Sequence, residues 1–138
     1  MKKINCILLI DDNSDDNFFH TITIEENGAA QHVKTATTGE TALEYLKQAK
    51  LNMNEYPMPD LIFLDINMPG MNGFEFLEKA KNLKMFHQVK TVIIVMLTSS
   101  LNPNDEKMAK EVYANEIMEF RNKPLSTEAL KEIIEKFF

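Results

Sequence analysis

Four short runs of Val, Ile, Leu and Phe recur along the chain, at Ile4–Ile10, Leu61–Leu64, residues 91–97 and, more weakly, residues 117–120. The first three are nearly continuous in apolar character, the pattern of strands covered on both faces in a parallel sheet. Between the runs lie stretches with helical spacing, at residues 15–26, 40–49, 73–83, 105–112 and 127–137. A weaker segment at residues 32–35, bounded by Gly28 and Gly39, reads as a further strand. Strand followed by helix, repeated along the chain, predicts a parallel sheet with right-handed crossovers and helices on both faces, with function gathered at the carboxyl ends of the strands. The last helix is expected to dock, because Ser126 can cap it and Ala129, Leu130, Ile133, Ile134 and Phe137 share one face.

With 138 residues and 44% hydrophobic content, residues 1–138 suffice for one domain with a core and leave no room for a second. The formal charge of −6 argues against nucleic acid as a partner. No apolar run approaches the ~18 residues of a membrane span, so a cytoplasmic location is expected. The single cysteine, Cys6, lies in an apolar run and reads as a packed core thiol in a reducing compartment. His20, His32 and His87 lack metal-like spacing and read as packing or surface residues. The nine methionines are scattered, as core filler and adaptable surface would be. Two connections are long, residues 52–60 with Pro57 and Pro59, and residues 82–90.

The strand ends carry the chemistry. Asp11 and Asp12 follow the first strand, Asp65 the third, Thr98 the fourth, and Lys123 lies just beyond the fifth. Carboxylates gathered at the rim of an apolar sheet raise each other's pKa and resist shared ionisation, which a cation resolves. A hard-oxygen site that leaves room for phosphate oxygens suits Mg²⁺, with Mn²⁺ or Ca²⁺ as substitutes. A carboxylate such as Asp65 is also a nucleophile toward phosphoryl groups, a step that needs positioning and charge neutralisation more than acid–base help. Lys123 and the Thr98 hydroxyl supply a positive charge and a hydrogen-bond donor for phosphoryl oxygens.

Asp11-Asp12, the run Asp65-Ile-Asn-Met-Pro-Gly-Met-Asn-Gly73, Thr98-Ser99 and Lys123-Pro124 together resemble the receiver signature of two-component response regulators, in particular single-domain, chemotaxis-regulator-like members. Any one piece is weak; the ordered set at successive strand ends is specific. The resemblance implies a flavodoxin-like (βα)5 fold, a doubly wound parallel five-stranded sheet in the order 2-1-3-4-5. It further implies Asp65 as phospho-acceptor, Mg²⁺ held by Asp12, Asp65 and the backbone carbonyl of Asn67, with Asp11 acting through water. Thr98 and Phe120 would be the switch pair, and the Lys123–Pro124 bond would be cis. The implied partners are a histidine kinase or histidine phosphotransfer protein as donor, and a downstream protein docking on helix 4, strand 5 and helix 5, with a homodimer also admitted. No output domain would be attached, and the domain would catalyse only its own modification. The usual glycine-alanine step before the fifth strand is replaced by Asn115-Glu116-Ile117, with Asn115 a candidate left-handed residue. Ser99 stands where Ala is usual.

Plainer readings compete. Asp11 and Asp12 taken alone would begin a helix, where acids favour the positive end of its dipole. In register with Asp65 and Lys123 they read as site residues, whereas Asp15 and Asp16 read as first-turn helix charges and stand outside the site. The Pro-Gly run around Asn67 is also an ordinary turn. Phe120 serves equally well as core. Two other functions share parts of this pattern. An aspartate-nucleophile phosphohydrolase usually carries a second aspartate two residues after the nucleophile, where this chain has Asn67. A phosphorylation-independent adaptor or dimerisation module could keep the fold, although the complete residue set argues against degeneration.

Overall fold

The computed structural model describes residues 2–85 and 92–138. Its elements run β1 (Ile4–Ile10), α1 (Ser14–Glu26), β2 (Ala30–Ala36), α2 (Gly39–Leu51), β3 (Leu61–Leu64), α3 (Gly73–Asn82), β4 (Ile93–Thr98), α4 (Pro103–Lys107, continuing as a π-helical turn over Met108–Val112), β5 (Glu119–Asn122) and α5 (Thr127–Phe137). The strands pair in parallel in the order β2-β1-β3-β4-β5, as expected from the sequence.

The continuous apolar runs divide between two cores by simple alternation. Leu8, Ile10, Ile62, Leu64, Ile94 and Met96 point to one face, where they meet Leu46 of α2, Phe76 and Leu77 of α3 and Ala109 after α4. Ile7, Leu9, Phe63, Val95 and Leu97 point to the other, against Ile24 of α1 and Leu130, Ile133 and Ile134 of α5. The central parts of these strands are covered on both faces, where a polar side chain would be buried without water, and the polar residues that matter to the site come where the strands end.

Caps set the helix starts. Asn13 accepts from the amides of Asp15 and Asp16, Asn72 forms a reciprocal capping box with Glu75, and Ser126 accepts from Ala129. The proline-containing connection after α2 is tied down rather than loose: Tyr45 donates to the Pro57 carbonyl at 2.6 Å, and Asp60 accepts from the Cys6 amide at 3.1 Å. Cys6 is fully buried, as expected of a core thiol. Buried Met58, Met68, Met85 and Met96 fill core, while Met53, Met108 and Met118 are exposed.

Most element ends shift by a residue or two, and two boundaries and one backbone conformation differ in ways that have a physical reason. The fifth strand is Glu119–Asn122 rather than residues 117–120, because Ile117 packs into the core before the ladder begins and β5 is an edge strand with few apolar residues. Helix α4 starts earlier, at Pro103, since Asn102 caps it and proline suits the first helical position. Asn115 does not take the left-handed conformation; among described non-glycine residues only Lys84 has positive φ. Thr91, His87 and most of the 82–90 connection lie outside the described residues or next to them.

Candidate phosphoryl-acceptor site

The sheet order reverses between β1 and β3: the chain runs from β1 outward to β2, then returns past β1 to β3. A crevice opens at such a switch point, at the carboxyl ends of the strands. Ile10 and Leu64 are cross-strand partners, so the next residues, Asp11 and Asp65, leave the sheet side by side. The Asp65 amide donates to the Ile10 carbonyl at 2.9 Å and the Asp11 amide to the Ala36 carbonyl at 3.0 Å, fixing both backbones at the rim. On the far side Thr98 pairs with Asn122, and the Lys123 amide donates to the Thr98 carbonyl at 2.9 Å, which anchors the lysine at the end of β4.

Asp11 and Asp65 are 4% and 5% exposed, whereas Asp12 is open to solvent. Carboxylate oxygens of these three residues lie within 4.8 Å of one another. Lys123 Nζ reaches Asp11 Oδ2 at 2.5 Å, Asp16 Oδ2 at 2.8 Å and Asp65 Oδ2 at 3.4 Å. Burial pushes the Asp11 carboxyl up, and its hydrogen bonds from Lys123 and the Asn13 amide only partly offset this. Burial acts on Lys123 in the opposite sense, yet the bonds to Asp11 and Asp16 and the charge of Asp65 win, so its ammonium is held charged. One lysine among four carboxylates leaves an excess of negative charge in a crevice of low dielectric. Hard oxygens in this number and closeness fit a divalent cation of the Mg²⁺ type.

The other sequence-derived residues fall as follows. Thr98 is fully buried, and its hydroxyl oxygen accepts from the Ser100 amide at 3.1 Å. Asn67 lies in the exposed turn after β3. That turn is held close: the Gly73 amide donates to the Ile66 carbonyl at 2.9 Å, and a Cβ on Gly73 would sit 2.3 Å from the Asp65 carbonyl oxygen. Phe120 is half-buried in β5 and packs against the core on the α4 side. It lines a groove of ≈ 410 Å³ with Ala109, Lys110, Ala114, Ile117, Met118, Glu119 and Lys136. The Lys123–Pro124 bond is cis.

Asp16 corrects the reading that kept it outside the site. It is a first-turn charge of α1, as expected, and it also pairs with Lys123. The Asn13 cap makes Asp16 the third residue of the helix, a position whose side chain reaches back toward the cap. Once that cap is known the placement follows; without it, nothing in the sequence separates Asp16 from Asp15. Two contacts around the site are not legible in the sequence. Buried Asn17 donates to the Asp11 carbonyl at 3.0 Å, and Ser100 donates to Asp105 at 2.6 Å, joining the end of β4 to α4. His20 is buried, consistent with packing, and burial lowers its pKa; His32 is exposed.

The crevice at the switch point thus holds a carboxylate triad and an ion-paired lysine, an acidic pocket of the kind that suits a divalent cation. Residues 7–135 match the response regulator receiver domain, and the chain belongs to that family. It is similar to a two-component response regulator from Cytophaga hutchinsonii, with 31% identity, a TM-score of 0.84 and coverage of 99% of this chain and 98% of that one. The chemotaxis protein CheY4 of Vibrio cholerae is 26% identical with a TM-score of 0.72, over 98% and 99% of the two chains. A probable cyclic di-GMP phosphodiesterase of Vibrio cholerae is 35% identical over 91% of this chain, which spans 25% of that protein. Receiver domains are phosphoryl-accepting switches of two-component signal transduction, and the complete receiver fold here is one of them. Among the described residues no helix is long and apolar enough to cross a membrane.

Proposed function

We propose that Asp65 is the residue phosphorylated, with Asp12, Asp65 and the Asn67 carbonyl as direct Mg²⁺ ligands and Asp11 acting through water. The closeness of the Asp11, Asp12 and Asp65 carboxylates to Lys123 at the switch point carries this reading. An Asp65 carboxylate oxygen attacks phosphorus, an O–P bond forms, and the N–P bond of a donor phosphohistidine breaks with its electron pair returning to the imidazole. Lys123 neutralises charge on the transferred oxygens, and the Thr98 hydroxyl, already at the rim, donates a hydrogen bond to one of them. A cation held by those ligands would add charge stabilisation to the transfer. The chain catalyses only its own modification.

The donor is a histidine kinase or histidine phosphotransfer protein, and the setting is cytoplasmic. The output is a protein docking on the face of α4, β5 and α5, where Phe120 lines the groove. When Thr98 turns to the phosphoryl group, the Ser100 amide loses its acceptor, and the Ser100–Asp105 bond carries that change to α4. Incubation with acetyl phosphate followed by intact-mass analysis tests the acceptor assignment. A single phosphate adduct that requires Mg²⁺ and vanishes in Asp65→Asn is the expected result; normal labelling of Asp65→Asn would refute it.

A further inference from the structure

We infer that Asp16 tunes how readily Asp65 holds a phosphoryl group, by competing for the Lys123 ammonium in an ion pair and adding a negative charge beside it. This rests on the reading of Asp65 as acceptor. A lysine ammonium has three donors, and three carboxylates take them, with the contacts to Asp11 and Asp16 shorter than that to Asp65. For Lys123 to serve a phosphoryl oxygen on Asp65, one of these contacts must loosen. Asp11 belongs to the carboxylate triad that a cation would draw together, and Asp16 does not. Asp16 therefore remains counter-ion to the lysine whether or not a cation is bound. It has two effects: it fixes the ammonium at the site, and it places an added negative charge next to an incoming dianion. The second effect dominates, because the Lys123 amide is already tethered to the Thr98 carbonyl at the strand end, so the lysine's place at the site does not depend on Asp16.

The side chain of Asp16 is 34% exposed, so solvent screens its charge and the expected effect is moderate, about tenfold in affinity for a phosphoryl mimic. The neighbouring Asp15 bears the same charge on the same helical turn, is exposed and makes no ion pair with Lys123, which makes it an internal control for the general field.

The test is a beryllofluoride titration at saturating Mg²⁺, read by fluorine NMR or calorimetry, on wild type, Asp16→Asn and Asp15→Asn. Asp16→Asn is expected to bind about tenfold more tightly, and Asp15→Asn to change by less than about twofold. In metal-free protein, the Lys123 ammonium protons are expected to exchange faster with water in Asp16→Asn and at the wild-type rate in Asp15→Asn. Unchanged or weaker binding in Asp16→Asn, or an equal gain in Asp15→Asn, overturns the assignment while leaving Asp65 as acceptor. A wild-type protein that forms no adduct overturns the acceptor reading itself, and this inference with it.

Discussion

Asp11 and Asp65 meet because Ile10 and Leu64 are cross-strand partners, so a one-residue slip in either strand would turn one carboxylate away. Their proximity has an energetic consequence. The charges at the site exceed what Lys123 balances, and the excess is unfavourable until a cation arrives. Asp65→Asn removes one buried charge and keeps an amide of nearly the same shape. In metal-free buffer this variant is expected to be more stable than wild type by about 1 kcal/mol, measured by urea unfolding. A loss of stability would mean that the pairing of Asp65 with Lys123 outweighs the repulsion. The Asp16 ion pair shows where residue-level reading of the sequence fails: its partner is 107 positions away, and only the start of α1 at Asn13 turns it toward the site. Asp11, Asp12, Asp65, Thr98 and Lys123 were legible because each is the first polar residue at the end of an apolar run or lies in a family motif.

At the scale of elements, the turn from β3 into α3 shows how closely backbone segments must approach to present the residues after Asp65. Gly73→Ala would gain about 1 kcal/mol from helix propensity. The new Cβ, however, would stand 2.3 Å from the Asp65 carbonyl oxygen, a backbone atom that cannot step aside. Overpacking of this kind dominates, and a net loss of about 2 kcal/mol or more is expected in thermal or urea unfolding. Strand β5 gives a second prediction. Glu119 accepts hydrogen bonds from Arg121 and Lys136; burial alone would raise its pKa, and the two cations together lower it below the ordinary 4.5. A carboxylate lowered on folding contributes stability above its unfolded pKa and loses it as pH falls through the folded one. Glu119→Gln should therefore be less stable than wild type at neutral pH and converge with it as acidification passes below the ordinary carboxylate range; a constant gap from neutral pH down through that range would contradict the assignment. The same strand was misplaced by two residues in the sequence because an edge strand needs little apolar character, while Ile117 contributes apolar character before it. The strands β1, β3 and β4 were legible as nearly continuous apolar runs, since coverage on both faces leaves little room for polar side chains between their ends.

Across the whole molecule, the two cores on either face of the sheet hold the strand ends in register, and the site is a product of that register rather than of any one loop. A cation that binds only the folded crevice must raise global stability by mass action. Millimolar Mg²⁺ is expected to raise the thermal midpoint of wild type, with about 2.7 kcal/mol gained at one hundred times the dissociation constant. Asp12→Asn should lose most of that response; an equal response would move the cation elsewhere. The doubly wound fold was legible in full, because alternating apolar runs and helical patterns admit few topologies. The link from Thr98 through Ser100 to Asp105 was not, since it depends on how the β4–α4 turn folds back on itself.

The most direct test of the central claim is chemical mapping of the phosphoryl group. Wild-type protein is phosphorylated with acetyl phosphate and Mg²⁺, the acyl phosphate is reduced with borohydride to homoserine, and the modified position is read by peptide mass spectrometry. Homoserine at position 65 alone is the result expected. Homoserine at Asp11, Asp12 or Asp16 with position 65 unmodified would contradict the account and require a different nucleophile at the same rim.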